Sequence, residues 1–358
     1  MTAVELPLAM RRLKDWPSPN AIDAIDAIDM ALKETPMTRT KQLCTALALG
    51  LAAMGASAQS YPVKPIRLVV GFAPGGAADT VARAMSDAMG RALGQNVVVE
   101  NKAGAGSSLA ADHVAKAAPD GYTVLLASPS SISVNPALNP KLSYKFSDLQ
   151  PVLKVTTSPL VIAANNASGI QSVKDLIAAA KKAPGSLNYA TSGIGSAPHL
   201  GAALFSQVAG VQLFHVPFKG GAPAVQSVVA GDTQITFATP PSVLELVKGG
   251  RLRGLAVSTR ERTPLVPDLP GMAEAGLPDF AIEFWYGLFL PTGTPPTVAA
   301  RIFAAATTAM RDPAVRQVLA REGTDVDLSP SSEHFQAFLA KDNLFWTKLV
   351  KDAGVSAE

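Results

Sequence analysis

Cysteine is all but missing from this 358-residue chain, and the one present, Cys44, sits inside an N-terminal apolar stretch. Once that stretch is removed no disulfide can form, so stability has to come from packing. Long apolar runs are also absent. Beyond the N-terminal region nothing approaches the ~20 uninterrupted apolar residues that a permanent membrane span needs. Charge of one sign is missing too: the net charge is +3, without a long basic run, which disfavours nucleic acid and anionic membrane surfaces as partners. The four histidines, His113, His199, His215 and His334, show no paired ligand spacing, so no metal centre is expected. Gly193-Ile194-Gly195-Ser196 is not a G-x-S-x-G elbow, Gly104-Ala105-Gly106 lacks the third glycine of a dinucleotide fingerprint, and no Walker lysine follows a glycine loop. No cofactor is expected, and the chain does not read as an enzyme.

What is present begins with Met37 to Ala58, MTRTKQLCTALALGLAAMGASA: Arg39 and Lys41, an apolar core from Leu43 to Met54, then Ala56-Ser57-Ala58. This is the three-part plan of a secretory signal, residues 37–58, with cleavage after Ala58 and a periplasmic destination. Residues 1–36, with the triplet repeat from Ile22 to Asp29, read as a non-native upstream extension.

Downstream, short apolar runs alternate with helical patterns, the signature of an α/β chain with largely parallel sheets. Strands are expected near 67–72, 96–101, 123–128, 152–163, 188–191, 212–216, 235–238, 252–258 and 284–290. Helix follows helix from Thr297 onward. The segments Leu153 to Ala164 and Glu283 to Leu290 break the rhythm and read as crossover strands. They divide the chain into lobe 1 (59–159 and 283–358) and lobe 2 (160–282), with no internal repeat.

The most informative stretch is Arg67 to Met85, RLVVGFAPGGAADTVARAM. A buried strand runs through Gly75 and Gly76 into a helix whose apolar face is Val81, Met85, Ala88, Met89 and Leu93, with Asp79 and Thr80 in its first turn. Such a turn leaves main-chain N–H groups free, which suits a carboxylate. A second turn, Tyr189 to His199, YATSGIGSAPH, repeats the arrangement, and Pro198 fits a helix first turn. Two such turns, one per lobe, would close on a ligand from opposite sides. Hydroxyls of Ser128, Ser130, Ser131, Thr191, Ser192 and Ser196 add neutral hydrogen bonds. His199 either braces its loop or donates to a ligand. Lys219 is a charge partner for a distal carboxylate or a solvated lysine. Trp285 and Tyr286 either wall the cleft or pack at the crossover.

At these residues the chain resembles the extracytoplasmic solute receptors of tripartite tricarboxylate transporters, the Bug family. The likeness runs from YPVKPIRLVVGFAPGGAADTVAR through VENKAGAGSSLAADHVAKAAPDGYTVLLAS, YATSGIGSAPHL and VPFKGGAPAVQSVVAGD to GRLRGLAVSTRERTPLVPDLPGMAEAGLP and WYGLFLPTGTPP. It implies a two-lobed periplasmic binding protein of Venus-flytrap form, working as a monomer that hands a small organic acid to membrane permease subunits. It also implies that ligand is bound by Phe72, Ala73, Gly75, Gly76 and Asp79 on one loop and by Thr191, Ser192, Gly193, Gly195, Ser196 and His199 on the other. One departure stands out. Where relatives carry a Phe-Asp pair this chain has Phe237-Ala238, which puts a methyl at the distal position and disfavours an amino-acid ligand. The rival readings are a sensor-kinase receptor, a secreted hydrolase built on Ser196 and His199, and the effector lobe of a transcription factor.

Overall fold

The computed structural model describes residues 61–139 and 141–352. The upstream extension and the signal segment lie outside the described residues. Two mixed sheets, flanked by helices, carry the two lobes.

The first sheet runs in the order β11-β4-β10-β3-β1-β2, with β1 Ile66–Val70, β2 Val97–Asn101, β3 Thr123–Ala127, β4 Leu149–Pro159, β10 Glu283–Pro291 and β11 Asp325–Val326. β3, TVLLA, is buried along its whole length, whereas β2 at the edge is half-exposed. Against this sheet packs α1 (Ala77–Leu93), whose Val81, Met85 and Met89 are fully buried. Burying each such side chain stabilises by roughly 1.5–3 kcal/mol. The helix stops where Gly94 takes φ +75°, a left-handed value that glycine adopts without a Cβ clash. Also in this lobe are α2 (Ser108–Ala115), α3 (Asn135–Leu138), α8 (Pro296–Arg311), α9 (Pro313–Arg321) and α10 (Ser332–Asp352).

The second sheet runs β7-β6-β8-β5-β9, with β5 Val161–Asn165, β6 Asn188–Thr191, β7 Phe214–Pro217, β8 Ile235–Ala238 and β9 Leu252–Val257. Its helices are α4 (Val173–Lys182), α5 (Ala197–Ala209), α6 (Gly221–Ala230) and α7 (Pro240–Lys248).

The expectation of largely parallel sheets needs correction. Parallel pairing holds for β1 with β2 and β3, and for β6 with β7 and β8, but β10 is antiparallel to β3 and β4, and β5 to β8 and β9. The strands that carry the chain between the lobes run against their neighbours, so each crossing inserts an antiparallel member. The first crossing is also two strands rather than one, broken at Leu160. There the buried Ser258 ties the two crossings together: its Oγ accepts from Leu160 N–H at 2.7 Å and donates to the Ile282 carbonyl.

Candidate functional site

Each lobe offers its strand-loop-helix turn to the other. In lobe 1, Gly75 takes φ +76° and the α1 N-cap, Gly76, has no side chain to cap the helix. Asp79 shapes this loop from behind. Its Oδ2 accepts from Gly75 N–H at 3.0 Å and from Arg83 Nε at 2.9 Å, and its Oδ1 accepts from Asn101 Nδ2 at 3.0 Å. Burial alone would raise the pKa of this carboxyl, but the hydrogen bonds from Arg83, Gly75 and Asn101, with the Arg83 charge, hold it below the ordinary aspartate value.

In lobe 2, Ser196 caps α5 by accepting from His199 N–H at 3.3 Å, and Gly193 and Gly195 take φ +127° and +72°. The His199 ring accepts from Gly195 N–H through Nδ1 at 3.2 Å. The ring lies flat on His215, centroids 3.9 Å apart, and His215 Nε2 is 2.6 Å from Thr191 Oγ1. Burial lowers both imidazoles, His199 to about 3, with the neighbouring His215 adding to the shift, and His215 to about 4. Both rings are therefore neutral at pH 7, and bracing is the role this geometry gives His199. Ser196 Oγ engages the main-chain N–H of His199 rather than its ring, so the pair lacks the contact a nucleophile and base require.

The lobes meet at the loops. Ala73 N–H donates to the Lys219 carbonyl across the junction at 3.1 Å. A Cβ on Gly220 would come within 2.9 Å of Ala73 N, and one on Gly195 within 2.0 Å of Asn135 Oδ1.

Between them lies an inner cavity of about 20 Å³, measured as room for the centre of a water-sized sphere. Of the expected site residues, Phe72, Gly76 and Ser130 line it from lobe 1, and Thr191, Ser192 and Ala238 from lobe 2. Gly193 and Lys219 instead line an outer chamber of about 210 Å³, which shares Phe72 and Ser192 with the inner one. Ala73, Gly75, Asp79, Ser128, Gly195, Ser196 and His199 line neither chamber. The two crossover aromatics part company: Tyr286 lines the inner cavity, whereas Trp285 packs within lobe 1 and donates to Asp342.

No side chain lining the inner cavity carries a charge, but the first turns of four helices do reach it. They are α1 at Gly76 and Ala77, α5 at Pro198, α6 at Gly221 and α7 at Thr239 and Ser242. A helix N-terminus carries unpaired N–H groups and a positive field, and so favours an anion without a salt bridge. α1 and α6 bring main-chain N–H groups there, whereas α5 opens with Pro198 and a His199 N–H already capped by Ser196, and α7 with Pro240-Pro241 and a Ser242 N–H already bonded to Thr239, so these two add chiefly the positive field of a helix start. Ser130 Oγ is fully buried there with no hydrogen-bond partner among the described residues, and burial pushes the Tyr286 phenol up, keeping it a neutral donor. Sequence reading missed the contributions of α6 and α7, while of its two alternatives for Tyr286 the cavity wall is the one seen. Both had a signal: Phe218-Lys219-Gly220-Gly221 and Ala238-Thr239-Pro240 repeat the strand-to-helix turn chemistry of the two recognised loops.

Two lobes joined by a double crossing and meeting over a cleft define the periplasmic-binding-protein class of fold. Within that class the chain belongs to the family described as tripartite tricarboxylate transporter family receptor, TctC, which matches residues 81–355. It is similar to the solved periplasmic binding protein BugD, at 32% identity and a TM-score of 0.78 over 83% of this chain and 99% of that one. It is also similar to Rpa4515 of R. palustris, solved with adipate, at 30% identity and TM-score 0.79 over 83% and 99%. MatC of Rhodopseudomonas palustris, solved with malate, gives 32% and 0.77 over 81% and 100%.

Proposed function

We propose that this chain is an exported, monomeric receptor that captures a small organic acid between its lobes and delivers it to the permease subunits of a tripartite tricarboxylate-type transporter. The observation that carries the reading is the convergence of four helix N-termini on a cavity without a charged side chain. Relatives solved with adipate and malate support a carboxylate in particular. Phe72, Gly76, Ser130, Thr191, Ser192 and Ala238 are the residues we assign to ligand contact. Asp79 and His199 act behind them, holding the loops in shape.

Capture is a closing motion about the crossings at Leu160 and Ser258. A carboxylate bridges N–H and O–H donors from both lobes, and closure strips away its water. A buried donor left unpaired costs about 1–3 kcal/mol, so closure follows occupancy. The inner cavity is small enough that an acid larger than one or two waters enters only as the lobes part.

The test is native mass spectrometry of the purified chain, then thermal shifts with a panel of mono-, di- and tricarboxylates. An acid present at 100 times its Kd stabilises by about 2.7 kcal/mol. Thr191→Val removes a hydroxyl that also accepts from Gly193 N–H and pairs with His215, so it should cut that affinity roughly 5- to 100-fold by unpinning the loop as well as by the lost ligand bond. A panel with no shift, or a shift untouched by Thr191→Val and Ser130→Ala, refutes the reading.

A further inference from the structure

Beside the lobe junction the backbone of lobe 1 takes a course seen nowhere else among the described residues. Four residues in succession, Gly104, Ala105, Gly106 and Ser107, have φ of +140°, +47°, +57° and +77°. Glycine adopts such values freely, whereas alanine and serine incur a Cβ clash, and these two are the only non-glycine residues of the described chain with positive φ. Ser107 also forgoes its ordinary use. As the N-cap of α2 its hydroxyl would accept from a free N–H of the first helical turn, yet it makes no capping bond and has no partner among the described residues. It is buried so closely that a Cβ on Gly71 would fall 1.9 Å from its Oγ. Backbone strain of this kind persists only where surrounding groups impose it.

Two groups do so. From lobe 1, the buried Asn135 of α3 turns its amide to the strained turn, Nδ2 donating to the Gly106 carbonyl at 2.8 Å and to the Ala105 carbonyl at 3.2 Å. From lobe 2, the loop of residues 193–195 lies against the same turn. A Cβ on Gly106 would meet the Ile194 carbonyl at 2.4 Å, and one on Gly193 would lie 3.7 Å from Gly106 N. The lobe 2 loop therefore seats on a positive-φ turn, and of the two groups that hold this seat only Asn135 stays with it when the lobes part.

We propose that Asn135 is a positioning residue for capture: its amide keeps residues 104–107 in the positive-φ turn while the lobes are apart, so that the seat for the lobe 2 loop is formed before closure. This rests on the closing motion described above. The strain at Ala105 and Ser107 is then met when the chain folds rather than when ligand binds. Without the amide the open form relaxes toward negative φ, and every closure has to wind the turn back.

Isothermal titration of the full chain, with whichever acid of the carboxylate panel binds the wild type, tests this as a mutant cycle. Asn135→Ala should weaken binding about 5- to 30-fold, the factor set by one left-handed non-glycine residue. Adding Ala105→Gly, which accepts positive φ freely, should recover at least about threefold in that background and much less where Asn135 is intact. A series at the exposed Ala105 needs no buried change: Ala105→Val should bind about tenfold more weakly than Ala105→Asn, since asparagine tolerates the left-handed region and a β-branched residue does not. In the ligand-free chain, amide hydrogen exchange over residues 104–107 should quicken in Asn135→Ala. Unchanged affinity in Asn135→Ala, a loss that Ala105→Gly does not repair, equal binding by Ala105→Val and Ala105→Asn, or unchanged exchange overturns the assignment. Failure of every acid to bind the wild type would instead sink the capture reading itself, and this role with it.

Discussion

The two facing loops are built to one plan and braced by opposite chemistry. In lobe 1, Gly75 at φ +76° donates its N–H to Asp79 four residues on; in lobe 2, Gly195 at φ +72° donates its N–H to His199, also four residues on. Each acceptor stands at the third position of its helix and holds the glycine just before the N-cap. Lobe 1 uses a carboxylate and so needs Arg83 and Asn101 to offset its charge. Lobe 2 uses a neutral ring, kept neutral by burial and by its stacked partner. Holding a loop open toward an anion requires an acceptor behind it. An uncharged acceptor does so without repelling the ligand, whereas a charged one has to be neutralised locally.

The largest expected effect separates the two braces by the same replacement. Asp79→Asn puts an amide N–H₂ against the Asn101 amide, which cannot flip because its Nδ2 also donates to the Phe72 carbonyl at 3.0 Å. Donor facing donor in a buried site should lower unfolding free energy by about 2–3 kcal/mol. At His199 the Asn carbonyl can still accept from Gly195, so His199→Asn should cost only about 1 kcal/mol, chiefly lost stacking. Urea midpoints for the two variants decide it, and equal losses would mean that the loops are not held by the contacts named here.

The shared plan was only half visible in the sequence. Gly75-Gly76 and Gly193 to Ser196 announced the turns, and the helices after them begin where Ala77 and Ala197 stand, because glycine turns and apolar periodicity are local signals. Asn188 to Thr191 and Ile235 to Ala238 coincide with β6 and β8 for the same reason. What was not legible depends on pairing across the chain. For Asp79 the resemblance implies ligand contact, and for His199 bracing and ligand contact stand as alternatives; the hydrogen bonds of both side chains lie behind their loops, to Gly75 and Gly195. His215 enters only because β7 lies beside β6 in register, Tyr189 opposite His215. Ser107 escaped notice since its orphan hydroxyl is defined by Gly71, on a different strand end. The helical segment Ser130–Val134 was missed because a serine-rich run after a strand reads as a loop.

Acid sharpens the contrast next. Both imidazoles have folded pKa values below the usual ~6.5, so on acidification the unfolded chain takes up protons first. Stability is therefore complete above about pH 6.5 and falls as pH drops, by up to about 1.4 kcal/mol per pH unit for the buried His199. Asp79 is also lowered, yet from an unfolded value near 3.9, so its contribution is intact until the pH falls below about 4. Between pH 7 and 5 the loss then falls chiefly on the lobe 2 loop, with a share from His113 in lobe 1, which burial and the charges of Lys102 and Arg67 also lower. Denaturation midpoints at pH 7, 6 and 5 should decline in the wild type and decline less steeply in His199→Asn, where His215 still titrates; an unchanged slope in that variant would remove His199 from the account.

The smallest effect lies in lobe 1, where a second acid runs the other way. Asp342 accepts from Trp285 Nε1 and Trp346 Nε1, both at 3.0 Å, and burial outweighs those bonds, raising it to about 6. Its folded value exceeds the unfolded one, so as pH falls the native state is protonated first, and its share of stability grows from about pH 6 to about pH 4. Over that interval it opposes the histidines. Asp342→Asn relieves a desolvated charge but turns an amide N–H₂ toward one indole, two terms that nearly cancel, so at pH 7 the change should stay within about 1 kcal/mol. The pH response is the sharper readout: without Asp342 to counter it, the histidine loss between pH 6 and 5 should steepen. A variant whose acid slope matches the wild type would show that this carboxyl does not titrate there, leaving the histidines to set the response to mild acid unopposed.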